Sequence, residues 1–185
     1  MLKEKWESAI TLDEFIDQAE QNQDIWKSMY DRARVPAEFS ERLVELPARR
    51  LLVLLEDWCG DAFNSVPVIA RLAAQHPRLE LRVLRRDEHL DLMDLHLTGT
   101  SRAIPVVIVM DEDLEELGWW GSRPRPLQQW VTSPEARAME QSDRYREVRR
   151  WYARDRGHTT LEEITALLEK TGGAPRQLEA PIAVA

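Results

Sequence analysis

Apolar residues change their spacing several times along the chain, and each change predicts an element. Leu12, Phe15, Ile16 and Ala19 recur at i, i+3, i+4 and i+7, the face of a helix. Thr11 and Glu14 stand in capping-box positions ahead of them, and Trp26, Met29 and Tyr30 continue the apolar side. One helix is therefore predicted over roughly residues 11–30, interrupted by Pro36, with a shorter helix over 37–46 leading to Pro47. Leu51 to Leu55 is a continuous apolar run, the pattern of a strand buried on both faces. A polar turn from Glu56 to Asp61 follows, and then Val66, Ile69, Ala70 and Ala73 return to helical spacing.

Leu79 to Leu84 alternates apolar and polar side chains and predicts a second strand, with a helical piece over 88–97 ending before Gly99. Val106 to Met110 is a third apolar strand, and Asp111 to Asp113 turn it into a hairpin partner over Leu114–Trp120. In that partner Trp119 and Trp120 point to opposite faces, which assigns one to the core and one to a candidate groove. Pro124 and Pro126 open a helical region, Tyr145, Val148 and Tyr152 mark one helix face, and Gly157 ends it. Thr160 and Glu163 form a second capping box before the stripe Leu161, Ile164, Leu167 and Leu168. The order is helices, then βαβαββα, then helices: an α/β chain whose two helix-connected strands are expected to run parallel. Residues 1–47 read as an N-terminal helical extension, 48–133 as the core, 134–171 as C-terminal helices packed on it, and 172–185 as a flexible tail.

With 185 residues, 43% hydrophobic and 31% charged, the chain has the balance of one soluble domain. Its net charge, 25 − 33 = −8, opposes nucleic-acid binding, which rests on clustered Lys and Arg. The local group Arg144, Arg146, Arg149, Arg150, Arg154 and Arg156 lies on a helical stretch and reads as a solvated face. No run of about 18 apolar residues predicts a membrane helix, and the N-terminus lacks the apolar core of a signal peptide. A single cysteine makes no internal disulfide, so the cytoplasm is the expected compartment. His89 and His96 fall short of the three or four ligands a zinc site needs, and no Gly-rich phosphate loop is present. Neither a metal nor a cofactor is expected.

The one cysteine lies in Trp58-Cys59-Gly60-Asp61-Ala62, between the first strand and a helix. This stretch resembles the active-site turn of the thioredoxin family, Trp-Cys-x-x-Cys. Pro67, eight residues after Cys59, resembles the family's helix-kinking proline, and Ile104-Pro105 before the third strand resembles its cis-proline loop. The long N-terminal helical segment and Arg149–Asp155 further resemble a little-characterised bacterial branch of that family. The resemblance implies a thioredoxin-like fold, a central four-stranded mixed sheet with flanking helices and helical extensions at both ends. It also implies a substrate groove at Ile104, Pro105 and Gly121, with Trp58 facing a partner or packing beside the turn.

Two positions depart from the pattern: Ala62 stands where the second, resolving cysteine belongs, and Val53 where a buried proton-shuttling acid belongs. A thiol at a helix N-terminus meets unpaired N–H groups that favour thiolate, and Gly60 permits a tight turn. Against this, Glu56, Asp57 and Asp61 surround Cys59 with like charge, and Arg102, three residues before Pro105, is the cation expected to oppose them. Two functions fit. One is a monothiol redox protein exchanging with a protein or low-molecular-weight thiol or disulfide through Cys59. The other is a redox-inactive module that holds a peptide in the cis-proline groove, with Cys59 an inert thiol.

Overall fold

A computed structural model describes residues 1–172. In chain order the helices are α1 (Leu2–Ser8), α2 (Leu12–Asp17), α3 (Gln23–Arg32) and α4 (Ala37–Arg42). Strand β1 (Arg49–Leu55) leads into α5 (Gly60–Gln75), and β2 (Leu79–Arg85) into a 3-10 turn (Arg86–Glu88) and α6 (Leu90–Met93). Then come β3 (Val106–Met110), β4 (Glu116–Gly121), α7 (Arg125–Val131), α8 (Pro134–Ala138), α9 (Gln141–Asp155) and α10 (His158–Gly172). The strands form one mixed sheet in the order β2-β1-β3-β4. β1 and β2, joined through α5, run parallel with Val53 opposite Val83. β3 runs antiparallel to both neighbours, with Val107 opposite Val53 and Trp120.

Leu51 to Leu55 are wholly buried, and successive side chains of a strand point to opposite faces, so β1 is covered on both. α5 packs on β2, α3, α4 and α10, and α10 also reaches β4. Trp26 on α3 is fully buried, with Phe15 and Phe63 edge-on at 5.4 and 6.2 Å between ring centroids. Beyond β2, Ile10 pairs with Val83 through two backbone hydrogen bonds of 3.1 and 2.8 Å. At the start of β1, Arg49 donates from Nε to Thr171 Oγ1 (3.1 Å) and from Nη2 to the Thr171 carbonyl (2.5 Å), tying the strand to the end of α10.

Several element boundaries differ from the periodicity. Residues 11–30 make two helices: the Thr11–Glu14 capping box starts α2, but Asn22 adopts φ 56° and the chain turns before α3. The cause is Asp57, whose carboxylate accepts the amides of Glu20 (2.9 Å) and Gln21 (3.1 Å). α1, with Trp6 buried, is an additional helix. The helical piece expected over 88–97 shrinks to the 3-10 turn and four-residue α6. Thr160 is no cap: α10 starts at His158, Thr160 is buried within it, and Asp155 accepts the Thr159 amide instead. Neither Trp119 nor Trp120 reaches a groove, since both are buried, Trp119 against His96 and Trp120 donating to Glu163 Oε2 at 2.7 Å. The tail expected over 172–185 lies, after Gly172, outside the described residues.

Gly157, between α9 and α10, combines φ 82° with a close approach: a Cβ there would sit 2.7 Å from Val68 Cγ1 on α5. Gly99, at φ 62°, faces open space. Gly157→Ala is therefore expected to lose about 1–3 kcal/mol through overpacking on top of the φ penalty that Gly99→Ala shares. Urea unfolding of the two variants measures the difference; equal losses would show that α5 does not press on this turn.

Candidate functional site

Cys59 caps the N-terminus of α5, directly beyond the C-terminal end of β1, with Gly60 the first helical residue. The residue is 7% exposed, and the S–H donates to the Ile104 carbonyl at 3.4 Å. That carbonyl precedes Pro105, and the Ile104–Pro105 peptide bond is cis. Gly121 at the end of β4 completes the close packing: a Cβ on it would meet the Pro105 carbonyl oxygen at 2.6 Å. Cys59, Ile104, Pro105 and Gly121 thus occur together, with Trp58 the chain neighbour of Cys59, and Ala62, the third residue of the same helix, is fully buried. Gly60 has no positive φ, and a Cβ there would only touch the Phe63 ring at 3.6 Å, so the turn does not use its conformational freedom. Pro67 lies buried inside α5, where its missing N–H leaves the Phe63 carbonyl without its helical donor.

The charges divide differently from their order in the sequence. Asp57 turns away from the sulfur: besides the two amides on its carboxylate, its carbonyl accepts Trp26 Nε1 at 3.0 Å. Glu56 is also turned aside, accepting the Asp87 amide at 2.8 Å, and burial pushes its carboxyl above the usual range. Arg102 is not the cation of the site. It is exposed and holds Asp94 through Nε (2.6 Å) and Nη2 (2.8 Å), while its carbonyl accepts Arg86 Nη1. The cation that acts on Cys59 is Arg123, just beyond β4, whose Nη2 lies 2.6 Å from Asp61 Oδ2. The other Asp61 oxygen accepts the hydroxyl of Tyr152, on α9, at 2.9 Å.

The balance at the sulfur favours the neutral thiol. Burial comes first and the Asp61 charge second, and together they push Cys59 up to about 11. The amides of Ala62 and Asp61 and the Arg123 guanidinium oppose them without prevailing. Burial works against the Arg123 charge too, but Asp61 outweighs it and holds that guanidinium above its ordinary value. Burial and the Asp61 charge likewise raise the Tyr152 phenol well above its ordinary value. Trp58 is 44% exposed, with the Arg86 guanidinium 5.4 Å from its ring centroid. Arg123 and Tyr152 were missed in the sequence. Arg123 had one signal, its place two residues past Gly121; Tyr152 had none beyond an apolar helix face.

A thioredoxin family model matches residues 9–154 of the chain. Among solved structures, a protein of unknown function from Pseudomonas aeruginosa is 21% identical with a TM-score of 0.73, over 91% of this chain and 96% of its own. An HIV epitope scaffold is 20% identical with a TM-score of 0.70, over 91% and 97%. These likenesses are of fold. No curated protein matches the chain.

The raised thiol makes a definite pH profile. Only thiolate attacks an alkylating reagent, so the rate at Cys59 follows the thiolate fraction. Iodoacetamide labelling is expected to accelerate about tenfold per pH unit from neutrality and to level off only near pH 11. A plateau below about pH 9, the ordinary thiol range, would mean that burial and Asp61 do not govern the sulfur.

Proposed function

The chain belongs to the thioredoxin family, and from that premise we propose that it is a monothiol exchange protein, with Cys59 forming mixed disulfides with a protein or low-molecular-weight thiol. The observation that carries this reading is the sulfur's position: it meets the carbonyl before cis-Pro105, at a helix N-terminus, with Ala62 in place of a second thiol. In the step itself the Cys59 thiolate attacks one sulfur of a partner disulfide. A new S–S bond forms, the old one breaks, and the other half leaves as a thiolate that takes up the proton. Release then requires an external thiol, because position 62 supplies none. We assign the Trp58–Ala62 turn to a bacterial, cytoplasmic branch of the family, with residues 48–133 carrying the chemistry and 1–47 and 134–171 as helical additions.

One observation favours a second reading. A thiol held at about 11 is almost wholly protonated at neutral pH, and a peptide lying along Trp58, Ile104, Pro105 and Gly121 needs no thiolate. In that reading the protein is a binding module of the same fold.

Intact mass separates the two. Incubation of the folded protein with oxidised glutathione is expected to add one glutathione to Cys59, removable by dithiothreitol and absent in Cys59→Ser. Insulin reduction with thioredoxin reductase is expected to stop without repeated turnover. A Cys59 that stays unmodified when folded, yet reacts once unfolded in urea, would sink the exchange reading in favour of the binding one.

A further inference from the structure

We propose that Asp61, Arg123 and Tyr152 are a positioning network for Cys59, through which helix α9 sets how readily the buried thiol becomes an attacking thiolate. The proposal deepens the exchange reading and rests on it for its biological sense, though not for its test.

The network joins three separate parts of the chain. Asp61 belongs to the first turn of α5, Arg123 follows β4, and Tyr152 comes from α9. The Asp61 side chain is 11% exposed and that of Arg123 23%, so the 2.6 Å ion pair is largely removed from water. Arg123 Nη1 donates to Gln128 Oε1 at 3.1 Å, while its Nε is buried without a partner among the described residues. Such a pair is a weak source of stability, since desolvating two charges offsets most of their attraction and an apolar replacement is often neutral or better. Its place beside the chain's one thiol gives it a different role.

The other charged groups near the turn are engaged elsewhere. Glu56 accepts the Asp87 amide with Arg85 at 3.7 Å, and Asp57 holds the α2–α3 turn with Arg85 at 3.8 Å. Arg86 lies over Trp58 and pairs with Asp87, Arg102 holds Asp94, and from the loop before β3 the sulfur meets the neutral Ile104 carbonyl. Among the described residues, Asp61 and Arg123 are therefore the opposed charges at the sulfur. Asp61 repels a thiolate and Arg123 attracts one, while the Tyr152 hydroxyl on Asp61 fixes the carboxylate between them. Anything that shifts α9 away from α5 removes that hydroxyl and alters the thiol.

The two members of the pair must then act with opposite sign. In the full chain, Asp61→Asn is expected to speed iodoacetamide labelling of Cys59 near neutral pH by about tenfold, the effect of one pKa unit. Arg123→Gln is expected to slow it, Arg123→Lys to keep the parental profile, and Asp61→Asn/Arg123→Gln to return toward it. Tyr152→Phe is expected to slow labelling less than Arg123→Gln, because the carboxylate loses one hydrogen bond and keeps its cation. Thermal melting by circular dichroism accompanies each profile. A merely structural network would loosen the site and speed labelling in Asp61→Asn and Arg123→Gln alike. That result, or unchanged profiles in folded Asp61→Asn and Arg123→Gln, overturns the proposal; should Arg123→Gln fail to fold, Tyr152→Phe decides it, because labelling is expected to slow there and a loosened site would speed it. Alkylation needs no disulfide partner, so failure here is distinct from failure to form a mixed disulfide.

Discussion

A strand buried on both faces has no solvent side, and β1 imposes this constraint on everything around it. Its five leucine and valine positions from Leu51 to Leu55 need cover above and below, and its backbone pairs on both edges with β2 and β3. Both ends of the strand are tied to distant chain. Arg49 at its start grips Thr171 on α10, and Asp57 just past its end gathers the amides of Glu20 and Gln21. Cys59 follows two residues later. The thiol is thus presented from a segment tied at both ends, and its distance to Ile104 follows from the pairing of β1 with β3.

The position of the sulfur decides its chemistry by magnitude. A helix N-terminus stabilises a nearby anion by about 0.3–1 kcal/mol when exposed, and up to about 2 kcal/mol in good partly buried geometry. Movement of a thiol from 9.0 to about 11 corresponds to roughly 3 kcal/mol in the other direction. Burial plus one carboxylate therefore exceeds the helix end and one guanidinium. The sulfur sits at a helix end, yet its surroundings hold it protonated.

Much of the fold was legible because short-range patterns carry it. The apolar runs of β1 and β3, the alternation of β2, the Thr11 capping box and the Trp58–Ala62 turn each show within a few residues. What failed depends on partners far along the chain. The split at Asn22 needs Asp57, 35 residues away, and Asp57 itself reads as a like charge on the thiol until its amide partners are known. Arg102 sits near Pro105 in sequence, yet Asp94 holds it, while Arg123 reaches the site only because β4 pairs with β3 and ends at Gly121. Tyr152 is 91 residues from Asp61, and its hydroxyl is invisible in a pattern that counts it as an apolar face.

The pairing of Ile10 with Val83 also has a bearing on how the molecule avoids its own kind. β2 is a border strand, and an unsatisfied row of amides and carbonyls there is a template for strand addition by another chain. Both backbone groups of Val83 are occupied by Ile10, in the short connection between α1 and α2. A foreign strand seeking this border in register meets a blocked rung halfway along it and has to displace the N-terminal segment first. The first ten residues thus cover a border rung as well as packing Trp6 and Ala9 into the core, and without Ile10 the amide and carbonyl of Val83 lose these partners.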